Sequence, residues 1–206
     1  MPDPQNFTIY VIRHGETEHN LERRLASHND SPLTEQGRRQ ARANGRLLRK
    51  LAGTLDGFDF FASSLHRACT TMELLREEIG LPPTGYRADH RLLEMHVGDH
   101  IGLRWDDIPE EHHLPFRTDP WNASRPGGES HADVYVRVGK LLGSLRRNSV
   151  LVTHGATALA IRANYLNLMP DDALRYQQPN AGILRLANGS EHFFSLDVKD
   201  TDLKSK

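Results

Sequence analysis

Short apolar runs alternate with longer amphipathic segments along the chain. The runs are brief and rich in β-branched and aromatic side chains, which is typical of buried strands. They predict strands at residues 7–12, 59–63, 149–153, 183–186 and 192–196. The strand at residues 7–12 and the strand at 149–153 each end abruptly in a polar segment that contains His-Gly.

The amphipathic segments predict four helices. Apolar positions recur at helical spacing over residues 38–51, 65–79, 129–145 and 156–168. Thr34 is a suitable N-cap for the first of them, since a threonine hydroxyl can accept a bond from a backbone N–H of the first turn. Alternation of strands and helices favours a three-layer α/β/α sandwich with a mainly parallel sheet, and we expect one domain over residues 1–206.

Residues 86–126 do not follow this alternation. Pro, His, Gly and Trp accumulate there and periodicity is weak. Long irregular segments in compact enzymes often cover binding sites, so we predict a helical cap insertion. Its aromatic residues either line the substrate entrance or pack the insertion itself. The polar tail from about Asp197 is expected to be frayed.

Composition excludes several classes of partner. The 206 residues carry a net charge of −1, so no global field would attract nucleic acid or an anionic membrane. No apolar run approaches the roughly 20 residues that a membrane span needs, and residues 1–8 lack the features of a secretory signal. With Cys69 as its only cysteine the chain has no internal disulfide, and we expect a cytoplasmic protein.

Candidate chemistry lies where the predicted strands end. Arg13-His14-Gly15 follows the first strand and Thr153-His154-Gly155 the third, while the second leads into a segment that contains Arg67. Ligands of an open α/β sheet bind outside the carboxyl ends of its strands. A histidine after one strand is often structural, but two histidines and an arginine at three strand ends indicate a shared anion site.

The motifs in their order resemble the histidine phosphatase superfamily, which also includes the cofactor-dependent phosphoglycerate mutases. R-H-G-E-T-E-H-N at residues 13–20 looks like its signature. The resemblance continues through D-S-P-L-T-E-Q-G, A-S-S-L-H-R-A-C-T-T, L-L-E-M-H-V-G, P-G-G-E-S and V-L-V-T-H-G-A. It spans nearly the whole chain and implies phosphoryl transfer.

The resemblance also implies a set of site residues. His14 would be the nucleophile and Glu94 the proton donor, with Arg13, Arg67 and His154 around the phosphoryl group. Asn20 and Ser27 would join Arg13, Arg67 and His154 in binding substrate. These residue types suit the reaction, because guanidiniums bind phosphoryl oxygens bidentately and a neutral imidazole can form a phosphohistidine. Leu and Met neighbours of Glu94 favour its protonated form, and Glu16 has at most a supporting role.

The sequence departs from the family pattern at two places. Ala26-Ser27 stands where many members have Ser, Thr or Gln followed by Gly, so a side-chain phosphate donor is lost at Ala26. After Glu94 the chain has Met95 and Val97, whereas the mutases resemble E-R-H-Y-G. His96 does match the mutase histidine.

These departures favour a phosphatase acting on a small phosphorylated molecule. A phosphoglycerate mutase and a catalytically silent binder of a phosphorylated ligand are the alternatives. No cofactor is expected. No metal is expected either. Gly98 and Asp99 would interrupt a helix that placed His96 and His100 on one face. No Cys or carboxylate grouping completes a site with these histidines or with the pair His112-His113. The oligomeric state stays open, with a homodimer as one option.

Overall fold

The sheet at the centre of the fold has six strands. The structure is a computed structural model and describes residues 4–196. Within that range the strands are β1 (Ile9–Arg13), β2 (Asp59–Ala62), β3 (Arg87–Ala88), β4 (Ser149–Thr153), β5 (Gly182–Ala187) and β6 (Ser190–Ser195). Their order across the sheet is β3-β2-β4-β1-β5-β6.

The register of the central strands determines where the site lies. β1 and β4 are parallel and pair from Ile9 opposite Ser149 to Arg13 opposite Thr153, and β4 is also parallel to β2. The segments that follow β1, β2 and β4 therefore emerge at one edge of the sheet. β5 runs antiparallel to β1, and β6 antiparallel to β5. The predicted α/β fold with a mainly parallel sheet is confirmed.

Helices cover both faces of the sheet. They are α1 (Glu18–Leu21), α2 (Glu35–Ala52), α3 (His66–Glu78), α4 (Leu114–Thr118), α5 (His131–Leu142), α6 (Gly155–Leu166) and α7 (Pro170–Leu174). Successive residues of a strand point to opposite faces. Accordingly Tyr10 and Ile12 pack with α2 and α3, while Ile9 and Val11 pack with α5 and α6. Both faces of β1 are buried, which explains its continuous apolar run.

Capping residues determine where the main helices begin and end. The Thr34 hydroxyl accepts a 2.9 Å bond from Gly37 N–H, as predicted for the start of α2. Ser130 begins α5 with a capping box to Asp133. Asn167 ends α6 in the left-handed region at φ 53°, a conformation that asparagine tolerates better than most residues.

The segment at residues 86–126 differs from its prediction. It begins with β3, whose two residues extend the sheet beside β2, so the insertion starts after the sheet edge and not at residue 86. The remainder consists of short 3-10 turns and α4. α7 was not predicted, because its five residues are too few for a periodic pattern. The tail from Asp197 lies outside the described residues. Within residues 4–196 no helix is long and apolar enough to cross a membrane.

Candidate active site

Four of the five predicted catalytic residues line one cleft at the carboxyl edge of the sheet, and the fifth, His154, is fully buried next to His14 and does not line it. His14 N–H donates to the Thr153 carbonyl over 2.9 Å, which joins the ends of β1 and β4. The rings of His14 and His154 are 5.1 Å apart between centroids. The cleft has a volume of about 210 Å³. It is lined by Arg13, His14, Asn20, Arg24, Leu25, Ala26, Ser27, Arg67, Glu94, Met95, Val97 and Ala156.

The His14 ring is held in one tautomer. Its Nδ1 lies 2.7 Å from the Gly15 carbonyl, which can only accept, so Nδ1 carries the hydrogen and Nε2 the lone pair. The side chain is 4% exposed. Burial lowers the pKa of His14 well below 6.5, and the charges of Arg67 and Arg13 lower it further. The ring is therefore a neutral imidazole with Nε2 available for attack.

Two glycines allow the loop after β1 to lie against the start of α2. A Cβ on Gly15 would lie 2.2 Å from the Gly37 carbonyl oxygen, and one on Gly37 would lie 2.0 Å from that of Glu16. Only glycine fits this approach, which accounts for a glycine in both R-H-G and T-E-Q-G. The Glu16 carboxylate accepts a 2.8 Å bond from the Thr34 hydroxyl. Glu16 thus supports the start of α2.

His154 is a second buried imidazole in the site. It is fully buried and immediately precedes α6. The N-terminus of a helix favours anions. Burial lowers its pKa well below 6.5, with further contributions from His14, Arg67 and Arg13. Neither ring nitrogen has a hydrogen-bond partner among residues 4–196. Buried polar atoms are rarely left unpaired, so these nitrogens suit a group that enters from outside the protein.

Arg13 and Arg67 are each held in place by bonds to the protein, and each has a guanidinium N–H without a partner among the described residues. Arg13 Nη1 donates to the Gln178 carbonyl over 3.0 Å. Arg67 is 1% exposed and makes a 3.2 Å ion pair with Asp30. Burial lowers both pKa values, although nearby acidic groups oppose the shift. In the described part of the chain both Nε atoms are buried without a partner. Two such donors beside His14 can bind the oxygens of a phosphoryl group.

Glu94 lines the same cleft, and one hydrogen bond holds its backbone while another holds its carboxylate. Its carbonyl accepts a 2.8 Å bond from His28 Nε2, and its Oε1 accepts from Met95 N–H over 2.9 Å. A Cβ on Gly155 would lie 3.7 Å from Glu94 Oε2 and 3.8 Å from Arg13 Cζ. The small residue thus leaves space between the carboxylate and the guanidinium at the start of α6.

Asn20 and Ser27 both line the cleft, but parts of their side chains are bonded within the protein. Asn20 Oδ1 accepts from Thr17 N–H over 3.1 Å as part of the capping box of α1. The Ser27 hydroxyl donates to the Met95 carbonyl and accepts from Val97 N–H, each over 3.0 Å. A contact of Ser27 with substrate would therefore be made by its backbone.

Several supporting residues were missed by sequence reasoning. Thr71 lies one helical turn after Arg67, accepts from Gly15 N–H over 3.1 Å, and could have been found by that spacing. Asp30 opens a segment that was recognised as a motif, although its ion pair was not predicted. Asn180 donates to the His14 carbonyl over 2.6 Å. No sequence pattern around Asn180 indicates this bond. The same is true of the Gln178 carbonyl, which orients Arg13 and lies 165 residues away from it.

The aromatic residues of the insertion pack against its own polar side chains and against α5. Trp121 contacts Tyr135 edge to face. The rings of Trp105 and Phe116 flank the Arg125 guanidinium. Among residues 4–196, no three His, Cys, Asp or Glu side chains are arranged to hold a metal ion.

Comparison with known proteins gives matches over most of the chain. The profile of the histidine phosphatase superfamily (branch 1) matches residues 9–201. A 2,3-bisphosphoglycerate-dependent phosphoglycerate mutase of Brucella melitensis biotype 2 is 34% identical over 189 residues, covering 85% of this chain and 89% of the relative.

Solved structures with this fold include enzymes named as phosphatases. The mycobacterial glucosyl-3-phosphoglycerate phosphatase has a TM-score of 0.73 and 29% identity, over 92% of this chain and 96% of that protein. A putative alpha-ribazole-5'-P phosphatase of Escherichia coli, at 22% identity and a TM-score of 0.77 over 94% and 97% of the two chains, shows the fold alone. The profile match over residues 9–201, with His14 in the cleft and His154 beside it, leads to one conclusion: this chain is an enzyme of the histidine phosphatase superfamily (branch 1).

Proposed function

We propose that the chain is a phosphatase that hydrolyses a small phosphate monoester through a phosphohistidine on His14, without a metal ion. The observation that carries this proposal is the His14 imidazole itself. Its Nδ1–H is bonded to the Gly15 carbonyl, which leaves Nε2 as a neutral nucleophile between two arginines.

The first step transfers the phosphoryl group to the protein. His14 Nε2 attacks phosphorus in line, the N–P bond forms and the ester P–O bond breaks. Arg13, Arg67 and His154 stabilise the charge on the transferred oxygens. Glu94, in its protonated form, donates a proton to the leaving alkoxide.

The second step returns the protein to its starting state. A water molecule attacks the phosphorus of phospho-His14 while Glu94 accepts a proton from it. The P–N bond breaks, inorganic phosphate leaves, and the Nε2 lone pair is restored. The net reaction consumes one water molecule and produces an alcohol and phosphate.

The nearest alternative is a phosphoglycerate mutase, as the Brucella relative is named. A mutase has to hold a carboxylate and a second phosphate beside the phosphoryl site. Met95 and Val97 line the cleft here, and an apolar wall cannot compensate buried anions. The one additional cation among the lining residues, Arg24, is already paired with Glu22.

Arg87, Arg91, Arg104 and Arg117 are further candidates for those contacts, but none of them lines the cleft and three of them form ion pairs elsewhere. Arg87 pairs with Asp59, Arg91 with Asp89, and Arg117 with Glu110. The mycobacterial phosphatase, whose structure was also solved with VO3, resembles this chain at a TM-score of 0.75. These observations support hydrolysis over isomerisation.

A silent binder of a phosphorylated ligand is a further alternative. Such a protein would have no use for an acid beside the nucleophile. Glu94 lines the cleft, and its backbone is fixed by bonds from His28 to its own carbonyl and from Thr157 to that of Leu93. A carboxylate carried on a backbone that is held in this way favours catalysis over simple binding.

Two measurements test the proposal. Brief incubation with a labelled phosphate ester should give an acid-labile label on wild type and none on His14→Ala. Free-phosphate release and 2-phosphoglycerate formation from 3-phosphoglycerate are then measured with and without 2,3-bisphosphoglycerate. Phosphate release should dominate. Label on serine or cysteine would disprove the nucleophile, and isomerisation tenfold faster than hydrolysis would establish the mutase.

A further inference from the structure

Arg125 is a buried cation outside the catalytic cleft. It is 6% exposed, and its Cζ lies 5.2 Å from the ring centroid of Trp105 and 4.7 Å from that of Phe116. Nη1 donates to His100 Nδ1 over 3.0 Å. Within residues 4–196 it forms no ion pair with a carboxylate. Burial lowers its pKa, and no nearby acid opposes that shift.

The contacts of Arg125 leave its charge uncompensated. Aromatic faces attract a cation, but they carry no net negative charge. His100 is neutral in this arrangement, since its Nδ1 accepts a hydrogen bond from the guanidinium. Burying a cation without a counter-charge is unfavourable, and buried charges in proteins are normally paired. Among the described residues, the direct contacts of Arg125 thus supply no negative charge.

Arg125 is one of the residues that line a cavity open to solvent. This cavity has a volume of about 320 Å³. It is lined by Glu111, His112, Pro115, Ser124, Arg125, Pro126, Gly127 and Gly128. It shares no lining residue with the catalytic cleft. Of the lining residues only Glu111 is a carboxylate, and it is exposed at the surface.

His112 adds a second donor to the same cavity. Because His100 Nδ1 accepts from Arg125, its Nε2 carries the hydrogen and donates to His112 Nδ1 over 2.7 Å. The remaining nitrogen of His112, Nε2, then carries a hydrogen in the neutral ring. The chain of bonds from Arg125 through His100 therefore keeps His112 as a donor.

We propose that Arg125 and His112 form a second anion site, which binds a small oxyanion in this cavity. The shared ligand chemistry is that of a phosphate or a carboxylate, both of which accept hydrogen bonds from a guanidinium and an imidazole. The cavity also adjoins the loop after Glu94, because Pro126 accepts from Asp99 N–H over 3.0 Å and Glu129 N–H donates to His96 over 2.7 Å. A bound anion would stabilise the insertion where it meets that loop.

Tryptophan fluorescence gives a local test. The chain has two tryptophans, so Trp121→Phe leaves Trp105, which stacks on Arg125, as the single reporter. In that background we titrate sodium phosphate, sodium malonate, and sodium chloride at matched ionic strength. We expect a saturable change with phosphate or malonate and none with chloride. The more strongly bound of the two identifies the ligand as a phosphate or a carboxylate.

Variants separate this site from the catalytic cleft. Arg125→Gln should weaken anion binding at least tenfold, whereas Arg13→Gln should leave the Trp105 titration unchanged. Arg117→Gln is the matched control, because Arg117 is an exposed arginine of the same insertion and pairs with Glu110. The opposite pattern, with the signal lost in Arg13→Gln and kept in Arg125→Gln, would overturn the proposal. So would a change with chloride equal to that with phosphate.

Thermal unfolding provides a second readout that does not depend on fluorescence. Arg125→Gln also loses the contacts with Trp105, Phe116 and His100, so each variant is compared with its own Tm in the absence of anions. Phosphate or malonate should raise the Tm of Arg13→Gln, whose catalytic cleft is impaired, but not that of the double variant with Arg125→Gln. An equal rise in both proteins would contradict the second site.

Discussion

Arg67 Nη2 donates a 2.6 Å hydrogen bond to the backbone carbonyl of Ser27. The hydroxyl of the same serine bonds to the carbonyl of Met95 and to the N–H of Val97. Ser27 thus connects an arginine of the cleft to the loop that carries Glu94. It does so at φ 46°, in the left-handed region that favours glycine. A serine in this conformation is less favourable than a glycine, but only the serine has a hydroxyl that can bond to Met95 and Val97.

We predict that removal of the Ser27 hydroxyl weakens acid catalysis. Ser27→Ala and Ser27→Gly should each lower kcat/KM for an alkyl phosphate about tenfold, which corresponds to roughly 1.4 kcal/mol for lost hydrogen bonds. Hydrolysis of nitrophenyl phosphate should change less than threefold, because its leaving group needs little protonation. Steady-state kinetics with both substrates measure the contrast.

The two Ser27 variants also control for one another. Glycine relieves the left-handed conformation, while alanine keeps a Cβ there, so their stabilities should differ and their kinetic defects should agree. A defect confined to alanine would indicate strain, and equal losses on both substrates would indicate a general structural role.

Glu94→Gln should impair hydrolysis of alkyl phosphates far more than that of nitrophenyl phosphate. General acid catalysis contributes about 10²–10⁴-fold where the leaving group is an alkoxide. Glu16→Gln is the control, because the Glu16 carboxylate accepts from Thr34 at the start of α2. If Glu94→Gln lost the same factor on both substrates, or if Glu16→Gln showed the contrast instead, the assignment of Glu94 would be wrong.

Acidification should destabilise the protein through its two buried histidines. The folded-state pKa values of His14 and His154 lie well below 6.5, so an unfolded chain binds more protons as the pH falls below that value. Stability is therefore fully present above pH 6.5 and is lost as the pH falls towards the folded-state pKa values. The loss is at most about 1.4 kcal/mol per pH unit for each histidine.

Urea unfolding at pH 7.5 and pH 5.5 measures this loss. His154→Gln removes one of the two groups, so its free energy of unfolding should fall less between the two pH values than that of wild type. A parallel fall in both proteins would show that other groups cause the acid sensitivity.

Activity should persist in excess chelator and be inhibited by vanadate. Vanadate adopts the five-coordinate geometry of the transferring phosphorus, which Arg13, Arg67 and His14 of the cleft should bind more tightly than substrate. Phosphate release is measured in the presence of EDTA and in a vanadate titration. Loss of activity in EDTA that zinc or magnesium restores would require a metal-dependent mechanism instead.

The sequence by itself determined the α/β fold and the positions of the main candidates for catalysis. Buried strands are short apolar runs, and a polar segment directly after such a strand lies at the edge of the sheet. His14, His154 and Arg67 could be assigned to one site for this reason. The two glycines that contact each other, Gly15 and Gly37, were also visible as parts of motifs.

Only the tertiary structure decided how these groups are held. The Gln178 carbonyl that orients Arg13 has no signature in the sequence, because every residue has a carbonyl and this one lies 165 positions away. Ser27 was predicted to bind substrate, yet its hydroxyl bonds to a loop about 70 residues further on. The unpaired charge of Arg125 likewise depends on which side chains surround it. Long-range packing brings those neighbours together, and local patterns in the chain cannot specify that packing.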